Sequence, residues 1–213
     1  MGAHQAMLDE IAADAAATAA YTGRTAFDPW VMQALATVPR HEFVPAAEER
    51  HAYVNNALPI GHGQTISQPY IVALMTDLLE PQPDDVVLEV GTGSGYQAAV
   101  LSQLVRQVYS VEIIPELANE ARERLSRLGF GNISIKVGDG SAGWPEHAPF
   151  EGIIVTAAAA AVPDALLAQL GNGGRMVIPI GSPQRQELML IEKSATGEAR
   201  QRDLLPVAFV PLV

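Results

Sequence analysis

The stretch Val86-Val87-Leu88-Glu89-Val90-Gly91-Thr92-Gly93-Ser94-Gly95-Tyr96 constrains this chain more than any other. A short apolar run carrying one acid enters a turn with glycine at every second position. An amphipathic segment over 96–105 follows at once. The order is strand, tight loop, helix. Glycine lets a loop backbone come close to a ligand, because no Cβ intervenes. The helix start then offers free N–H groups. Further along, Val108-Tyr109-Ser110-Val111 ends in Glu112. An acid at the tip of a second strand suits the two vicinal hydroxyls of a ribose.

The glycine spacing decides between nucleotides. Dinucleotide-binding loops use G-x-G-x-x-G, where the last glycine eases helix–strand packing and a pyrophosphate sits on the helix end. Here the pattern is E-x-G-x-G-x-G, with no basic residue in the loop and an acid two positions before it. That suits a ligand with a cationic part and no phosphates, such as S-adenosylmethionine. A glycine loop alone also occurs as an ordinary strand-to-helix turn. Glu112 and the later Gly138-Asp139-Gly140 weigh against that reading, because they add acids at strand tips.

The 213 residues suit one domain with modest extensions. A hydrophobic fraction of 48% provides for a sizeable core. Asp, Glu, Gln or Pro interrupts every apolar stretch before it reaches membrane-spanning length. The N-terminus is acidic and Ala-rich without a basic start, so no signal peptide is expected. The absence of cysteine excludes disulfides, thiolate zinc sites and cysteine nucleophiles, and agrees with a cytoplasmic location. The net charge of −11 argues against nucleic acid, whose phosphates need clustered Lys and Arg. The 13 basic residues are spread thinly. The densest group, Arg122, Arg124 and Arg127, shares a helix with Glu116, Glu120 and Glu123, and reads as a solvated face with i,i+4 pairs. The expected partner is a small molecule or a peptide, with no nucleic acid and no membrane.

Along the chain, residues 7–20 are helix-prone. Asp28-Pro29-Trp30 begins a second helix, with Asp as N-cap and Pro at the first helical position. It closes near Val38-Pro39. Residues 41–68 read as a long loop punctuated by Pro45, Pro59, Gly61 and Gly63, and a loop of that length is usually functional. Pro69 starts a helix through Leu79. Strands are expected at 86–90, 107–112, 133–137 and 152–156, and helices at 96–104, 115–128 and 163–170. After Gly173-Gly174, residues 175–180, 187–192 and 204–210 read as strands without intervening helices. Alternating βα units predict a parallel sheet covered on both faces. The later strands predict an antiparallel edge. Ligands in such sheets bind beyond the carboxyl ends of the strands. That rule places residues 91–95, Glu112, Asp139 and the segment after Thr156 on one rim.

A second motif is more specific: Leu58-Pro59-Ile60-Gly61-His62-Gly63-Gln64-Thr65-Ile66-Ser67-Gln68-Pro69. With it stand Val38-Pro39-Arg40-His41-Glu42-Phe43-Val44-Pro45, the glycine loop, residues 137–144, 148–158 and 171–181, and Phe209-Val210-Pro211-Leu212. Taken together, and over nearly the whole chain beyond Asp28, this resembles the protein-L-isoaspartate O-methyltransferases. The resemblance implies a doubly wound Rossmann-like methyltransferase fold. Its sheet would be mostly parallel and seven-stranded, with an antiparallel edge and N-terminal helices. Residues 1–80 would carry the N-terminal helices and a substrate or lid loop, and 81–213 the donor-binding core and C-terminal strands. A cytoplasmic monomer is expected.

The implied activity is methyl transfer from S-adenosylmethionine to the α-carboxylate of L-isoaspartyl residues in damaged proteins and peptides, releasing S-adenosylhomocysteine. The methyl ester collapses to a succinimide, whose hydrolysis regenerates some aspartate. A carboxylate is ionised at neutral pH, with an unperturbed pKa of about 3.5–4. It needs no general base, and the chain shows no Ser-His-Asp or Cys-His arrangement. The resemblance places Ser67 beside the reacting carboxylate and the donor, orienting the nucleophile. Thr65 and the backbone near Val210 would hold the isoaspartyl main chain. His62 and Gly63 would line the donor pocket. Gly91 and Gly93 would approach the methionine part, Glu112 the ribose, and Asp139 with Gly140 the adenine edge. Glu89 would orient the loop or the donor's ammonium.

Three departures from the family pattern stand out. Glu151 replaces an Asp. Asn55 replaces a commonly acidic residue, which puts any charge role there in doubt. The sequence stops just past F-V-P-L, so donor contacts made there by longer relatives would be missing. No histidine has metal-ligand spacing, so no metal is expected. Trp30 and Trp144 are expected in core or rim positions, and Met32, Met75, Met176 and Met189 in the core. The N-terminal helix is left undecided between covering the sheet and mediating contacts. Asn172-Gly173 is placed in a helix-to-strand turn and expected to deamidate readily. Two other functions fit less well: a dedicated aspartyl methyltransferase for one partner peptide, and a non-catalytic S-adenosylmethionine-binding protein.

Overall fold

The structure is a computed structural model and describes residues 2–212. Helix α1 (Ala3–Thr22) and helix α2 (Pro29–Thr37) come first. The Asp28 side chain accepts from Trp30 N at 2.7 Å, capping α2, with Pro29 in its first turn. The segment expected to be a loop is ordered. It holds two 3₁₀ turns, Arg40–Phe43 and Ala46–His51, and an antiparallel hairpin of β1 (Leu58–Gly61) and β2 (Gln64–Ile66). Its prolines and glycines shape tight turns rather than a long excursion. Helix α3 (Pro69–Leu79) follows and is buried along its whole length apart from half-buried Ile71.

Then strands and helices alternate: β3 (Val86–Val90), α4 (Tyr96–Ser102), β4 (Gln107–Glu112), α5 (Pro115–Arg127), β5 (Ile133–Val137), β6 (Phe150–Val155) and α6 (Asp164–Gln169). Three strands end the chain: β7 (Leu170–Ser182), β8 (Arg185–Lys193) and β9 (Ala199–Val207). One seven-stranded sheet has the order β5-β4-β3-β6-β7-β8-β9. Pairings from β5 through β7 are parallel, and β7-β8 and β8-β9 are antiparallel. Successive side chains of a strand face opposite ways. Val87, Val108, Ile154 and Val177 therefore join the core that α1 to α5 cover. Leu88, Val90, Val111, Ile153 and Val155 join a second core on the other face, with Leu166 of α6. Covering both faces explains the near-continuous apolar runs.

The structure corrects several expectations. β9 lies five residues earlier at its start than the 204–210 expected, and ends three earlier. Of residues 208–212, Phe209, Val210 and Leu212 are half-buried outside β9, and Ala208 and Pro211 are exposed. Gln186 Oε1 accepts from Phe209 N at 2.6 Å and its Nε2 donates to Phe209 O at 3.0 Å, turning the chain off the sheet. Residues 171–174 are a bulge within β7 rather than a turn. Phe150 pairs with Leu170 and Gly152 with Arg175, leaving them opposite Glu151. Glu151 in turn accepts from Val86 N at 2.8 Å through its carboxylate.

Trp30 is 74% exposed, because α2 buries Val31, Ala34 and Leu35 instead. Met75 and Met176 are buried, and Met32 and Met189 pack partly buried against the core. The arginines of α5 do not form i,i+4 pairs. Arg122 donates to Asn119 and to Ile135 O, Arg124 to Ser94 O at 2.9 Å, and Arg127 to Glu42 at 2.9 Å. Among the described residues no helix is long and apolar enough to cross a membrane.

Candidate active site

At the end of β3 the chain turns at Gly91, whose φ is 95°. Such a φ favours glycine. Space requires it too, since a Cβ there would collide with Thr156 Oγ1. Thr156 follows β6, the neighbouring strand. Its hydroxyl donates to Gly91 O at 2.7 Å, and its N–H to Val90 O at 2.9 Å. The glycine loop is thus tied to the next strand end and left open on its outer side.

Glu112 ends β4 and is 5% exposed. Its Oε2 accepts from Gly93 N at 2.8 Å and its Oε1 from Ile114 N at 2.9 Å. An ionised carboxylate has roughly four acceptor sites. These two bonds fix its orientation and leave capacity for a ligand's hydroxyls. Gly140 lies across the same rim, where a Cβ would collide with Val90.

Glu89 is fully buried beneath the loop. The Ser110 hydroxyl donates to its Oε2 and shares a second hydrogen bond with the Thr92 hydroxyl at 2.5 Å. Burial pushes the Glu89 carboxyl up to about 8, with Glu112 adding to the rise and the Ser110 bond opposing it. The acid supports the loop through Ser110 and Thr92.

Arg40 and Asn55 hold the other side of the rim. Arg40 is wholly buried and makes hydrogen bonds to three carbonyls. Its Nε donates to Ala52 O at 2.9 Å, and its Nη2 to Ser67 O at 2.8 Å and Asn56 O at 3.3 Å. The guanidinium lies 4.8 Å from the centre of the Tyr96 ring, at the start of α4. Desolvation holds its pKa below the usual arginine range. Asn55 carries an amide because both ends are used. Its Nδ2 donates to Asp14 Oδ2 at 2.8 Å and its Oδ1 accepts from Tyr70 N at 2.9 Å. A carboxylate at 55 would face that of Asp14. The C-terminal segment closes the site: Ala158 N donates to Val210 O and Leu212 N to Ala158 O, both at 2.8 Å.

Two clefts result. The first is lined by Gly91, Gly93, Glu112 and Gly140 on the sheet side, and by Thr65, Ser67 and Val210 opposite. The second runs from Asp14, Thr18 and Tyr70 to residues 205–210. Thr65, Ser67, Thr156 and Val210 line both. Seven of the expected site residues thus converge. The other four do not line either cleft. His62 and Gly63 form the exposed tip of the β1–β2 hairpin, with His62 at a φ of 53°. Glu89 lies below the loop. Asp139 sits on the exposed rim, where its Oδ1 accepts from Ser141 N at 2.8 Å and Ser141 Oγ at 2.7 Å. Those bonds hold its carboxyl below the usual range.

The sequence reading missed Arg40, Asp14 and Gln186 as supports, and gave Thr156 no role. Only Arg40 left a signal, inside the V-P-R-H-E-F-V-P motif. Ile113 and Ile114 also line the first cleft, and their position after Glu112 was a usable hint. Ile113 is 42% exposed, an apolar surface beside Glu112.

Residues 20–213 match the family model of the protein-L-isoaspartate(D-aspartate) O-methyltransferases. A Syntrophobacter fumaroxidans protein-L-isoaspartate O-methyltransferase 2 is 61% identical, over 97% of this chain and 84% of its own length. A Cupriavidus necator protein-L-isoaspartate O-methyltransferase 1 is also 61% identical, over 97% of this chain and 80% of its own. A solved protein-L-isoaspartate O-methyltransferase superposes with a TM-score of 0.81 at 27% identity, over 98% of this chain. The chain spans 65% of the length of that solved protein. A Plasmodium falciparum structure in complex with S-adenosyl-L-homocysteine, 23% identical, shares the fold with a TM-score of 0.81 over 100% of this chain and 99% of its own. Fold, paired clefts and sequence therefore agree, and the chain belongs to the protein-L-isoaspartate(D-aspartate) O-methyltransferase family.

Proposed function

We propose that this chain transfers a methyl group from S-adenosylmethionine to the α-carboxylate of L-isoaspartyl residues, with the donor in the first cleft and the peptide in the second. The observation that carries this is the shared wall of Thr65, Ser67, Thr156 and Val210. A group passing between two bound molecules must pass there.

When bound, S-adenosylmethionine supplies the methyl carbon, and its sulfur takes the electron pair as the carbon–sulfur bond breaks. The chain's work is alignment. Glu112 would hold the ribose, Gly91 and Gly93 would admit the methionine part, and Gly140 with Asp139 would flank the adenine. Glu89 would keep the loop in place, and the hairpin tip of His62 and Gly63 would cover it. Ser67 would donate its hydroxyl to the substrate carboxylate, and Thr65 with the Val210 backbone would position the isoaspartyl main chain. Residues 1–80 together with 205–210 would supply the peptide side, and the glycine loop, Glu112 and Gly140 of 81–213 most of the donor side.

The electrostatics fit this chemistry. Among the described residues lining either cleft there is no Lys or Arg. An arginine against the substrate carboxylate would stabilise the charge that must be given up. Neutral hydroxyls orient it without that cost. The reaction cancels a negative charge against a positive one. Moving both out of water therefore favours the neutral products. Proximity and orientation of this kind can lower a barrier by roughly 7–11 kcal/mol.

The test is labelled-methyl transfer to paired peptides differing only in L-isoaspartate or L-aspartate. The isoaspartyl peptide should be strongly preferred. Equal rates, or preference for aspartate, would replace repair with a dedicated aspartyl methyltransferase. Donor binding without transfer to either would leave a binding protein.

A further inference from the structure

The second cleft contains one charged side chain among the described residues lining it, Asp14. It comes from α1, ahead of residue 20, where the family match begins. Its aim is fixed. Asn55, 9% exposed, donates Nδ2 to Asp14 Oδ2 at 2.8 Å while its Oδ1 is held by Tyr70 N. One turn further along α1, the Thr18 hydroxyl bonds the Tyr70 hydroxyl at 2.6 Å. Both bonds lock α1 to the base of α3. The carboxylate cannot swing away without breaking the Asn55 bridge. The remaining lining is neutral, so nothing in the cleft neutralises Asp14.

We propose that Asp14 is a specificity-determining residue, which makes the peptide cleft favour a lysine or arginine near the isoaspartate and disfavour an acid there. This rests on the reading of the second cleft as the peptide site. A peptide cation entering would complete an ion pair, and a peptide acid would meet a fixed like charge. Asp14 is half-buried, so water and salt screen the effect. The expected preference is about two- to fivefold in kcat/KM at low salt. It should reside in KM, since the charge is remote from the bond being made.

The test scans isoaspartyl hexapeptides carrying one Lys, Ala or Glu at successive positions on either side of the isoaspartate. Each has an aspartyl control, and the wild type is compared with Asp14→Asn and Asp14→Lys. Asparagine keeps an oxygen for the Asn55 bridge and removes only the charge. At one or more positions the wild type should rank Lys above Ala above Glu. Asp14→Asn should flatten that ranking and Asp14→Lys should invert it, each read as the ratio of kcat/KM between the Lys and Glu peptides within one variant. A ranking below twofold everywhere, or one that survives in Asp14→Asn, overturns the proposal while leaving isoaspartyl methylation intact. If no isoaspartyl peptide exceeds its aspartyl control, the underlying reading fails and the proposal falls with it.

Discussion

Arg40 Nη2 donates to the carbonyl of Ser67 at 2.8 Å, while the same guanidinium lies 4.8 Å from the ring centre of Tyr96. One buried cation thus braces the residue assigned to the substrate carboxylate and the first turn of the helix after the glycine loop. Arg40→Met strips donors from the carbonyls of Ala52, Asn56 and Ser67. Each such bond from a charged group contributes about 1.5–3 kcal/mol. Thermal unfolding should show a loss of about 3 kcal/mol or more. Arg40→Lys keeps the charge but not the planar fork. It should recover part of the stability while kcat stays well below wild type. Full recovery of kcat in the lysine variant would refute the bracing role.

Donor binding and chemistry should separate. Glu112→Ala removes the acceptor proposed for the ribose hydroxyls and the anchor for Gly93 N. Calorimetry should show donor affinity down by roughly tenfold to a hundredfold, matching about 1.5–3 kcal/mol. Ser67→Ala should leave that affinity within about threefold and lower kcat. Unchanged turnover in Ser67→Ala would remove its assigned role.

Glu89 makes stability depend on pH in a particular direction. Its folded pKa of about 8 lies above the ordinary 4.5. The folded state therefore holds the proton more tightly than the unfolded chain. That contribution is present in full below about 4.5 and is lost as pH rises through about 8. Glu89→Gln cannot ionise. Its stability relative to wild type should rise steadily across that window in denaturant melts. A constant difference would mean that Glu89 is ionised throughout.

The hairpin of β1 and β2 should respond to donor. Gln64, Thr65 and Ile66 line the first cleft, and Ile60 packs over Gly93. Covering segments of this kind often limit turnover. Hydrogen exchange over 58–66 should slow when S-adenosylhomocysteine is added. Unchanged exchange would mean that the hairpin leaves the donor uncovered.

Ageing should strike Asn172 before Asp139. The Asn172 amide is exposed and held by one long bond, Nδ2 to Ala195 O at 3.3 Å, and Gly173, at a φ of 82°, has no side chain to crowd its nitrogen, which makes one long bond to Ser194 O at 3.4 Å. Asp139 also precedes glycine, but its Oδ1 is held by two bonds from Ser141, and Gly140 is buried. Peptide mapping after warm storage should find isoaspartate at 172 first, and the aged protein should then accept methyl groups from fresh enzyme. Isoaspartate first at 139 would show that the bulge in β7 restrains cyclisation more than the Ser141 bonds do.

The sequence carried what is local. β3, β4, β5 and α3 have the bounds that alternation and proline at a helix start predict. Gly91 and Glu112 were legible because a glycine with no room for Cβ and an acid at a strand tip leave a mark in one short window. What failed was long-range. Residues 41–68 read as a loop because their order depends on Arg40 reaching Ala52, Asn56 and Ser67. The α5 arginines read as paired along their own helix, yet Arg124 reaches back to Ser94 O and Arg127 across to Glu42. Trp30 read as core or rim because apolarity does not say which face of α2 turns inward, and it is 74% exposed. Thr156 left no trace, since one hydroxyl after a strand is ordinary until its distance to Gly91 O is known.

The wall shared by the two clefts makes the enzyme open to a single molecule that occupies both. A compound carrying adenosine at one end and a peptide carboxylate at the other would need to cross only the line of Thr65, Ser67, Thr156 and Val210. Once one end was seated, a short tether would present the other at roughly millimolar effective concentration, and overall affinity could exceed either half by about 10²–10⁴. With Asp14 lining the second cleft, a lysine on that end would set the polarity of such a compound.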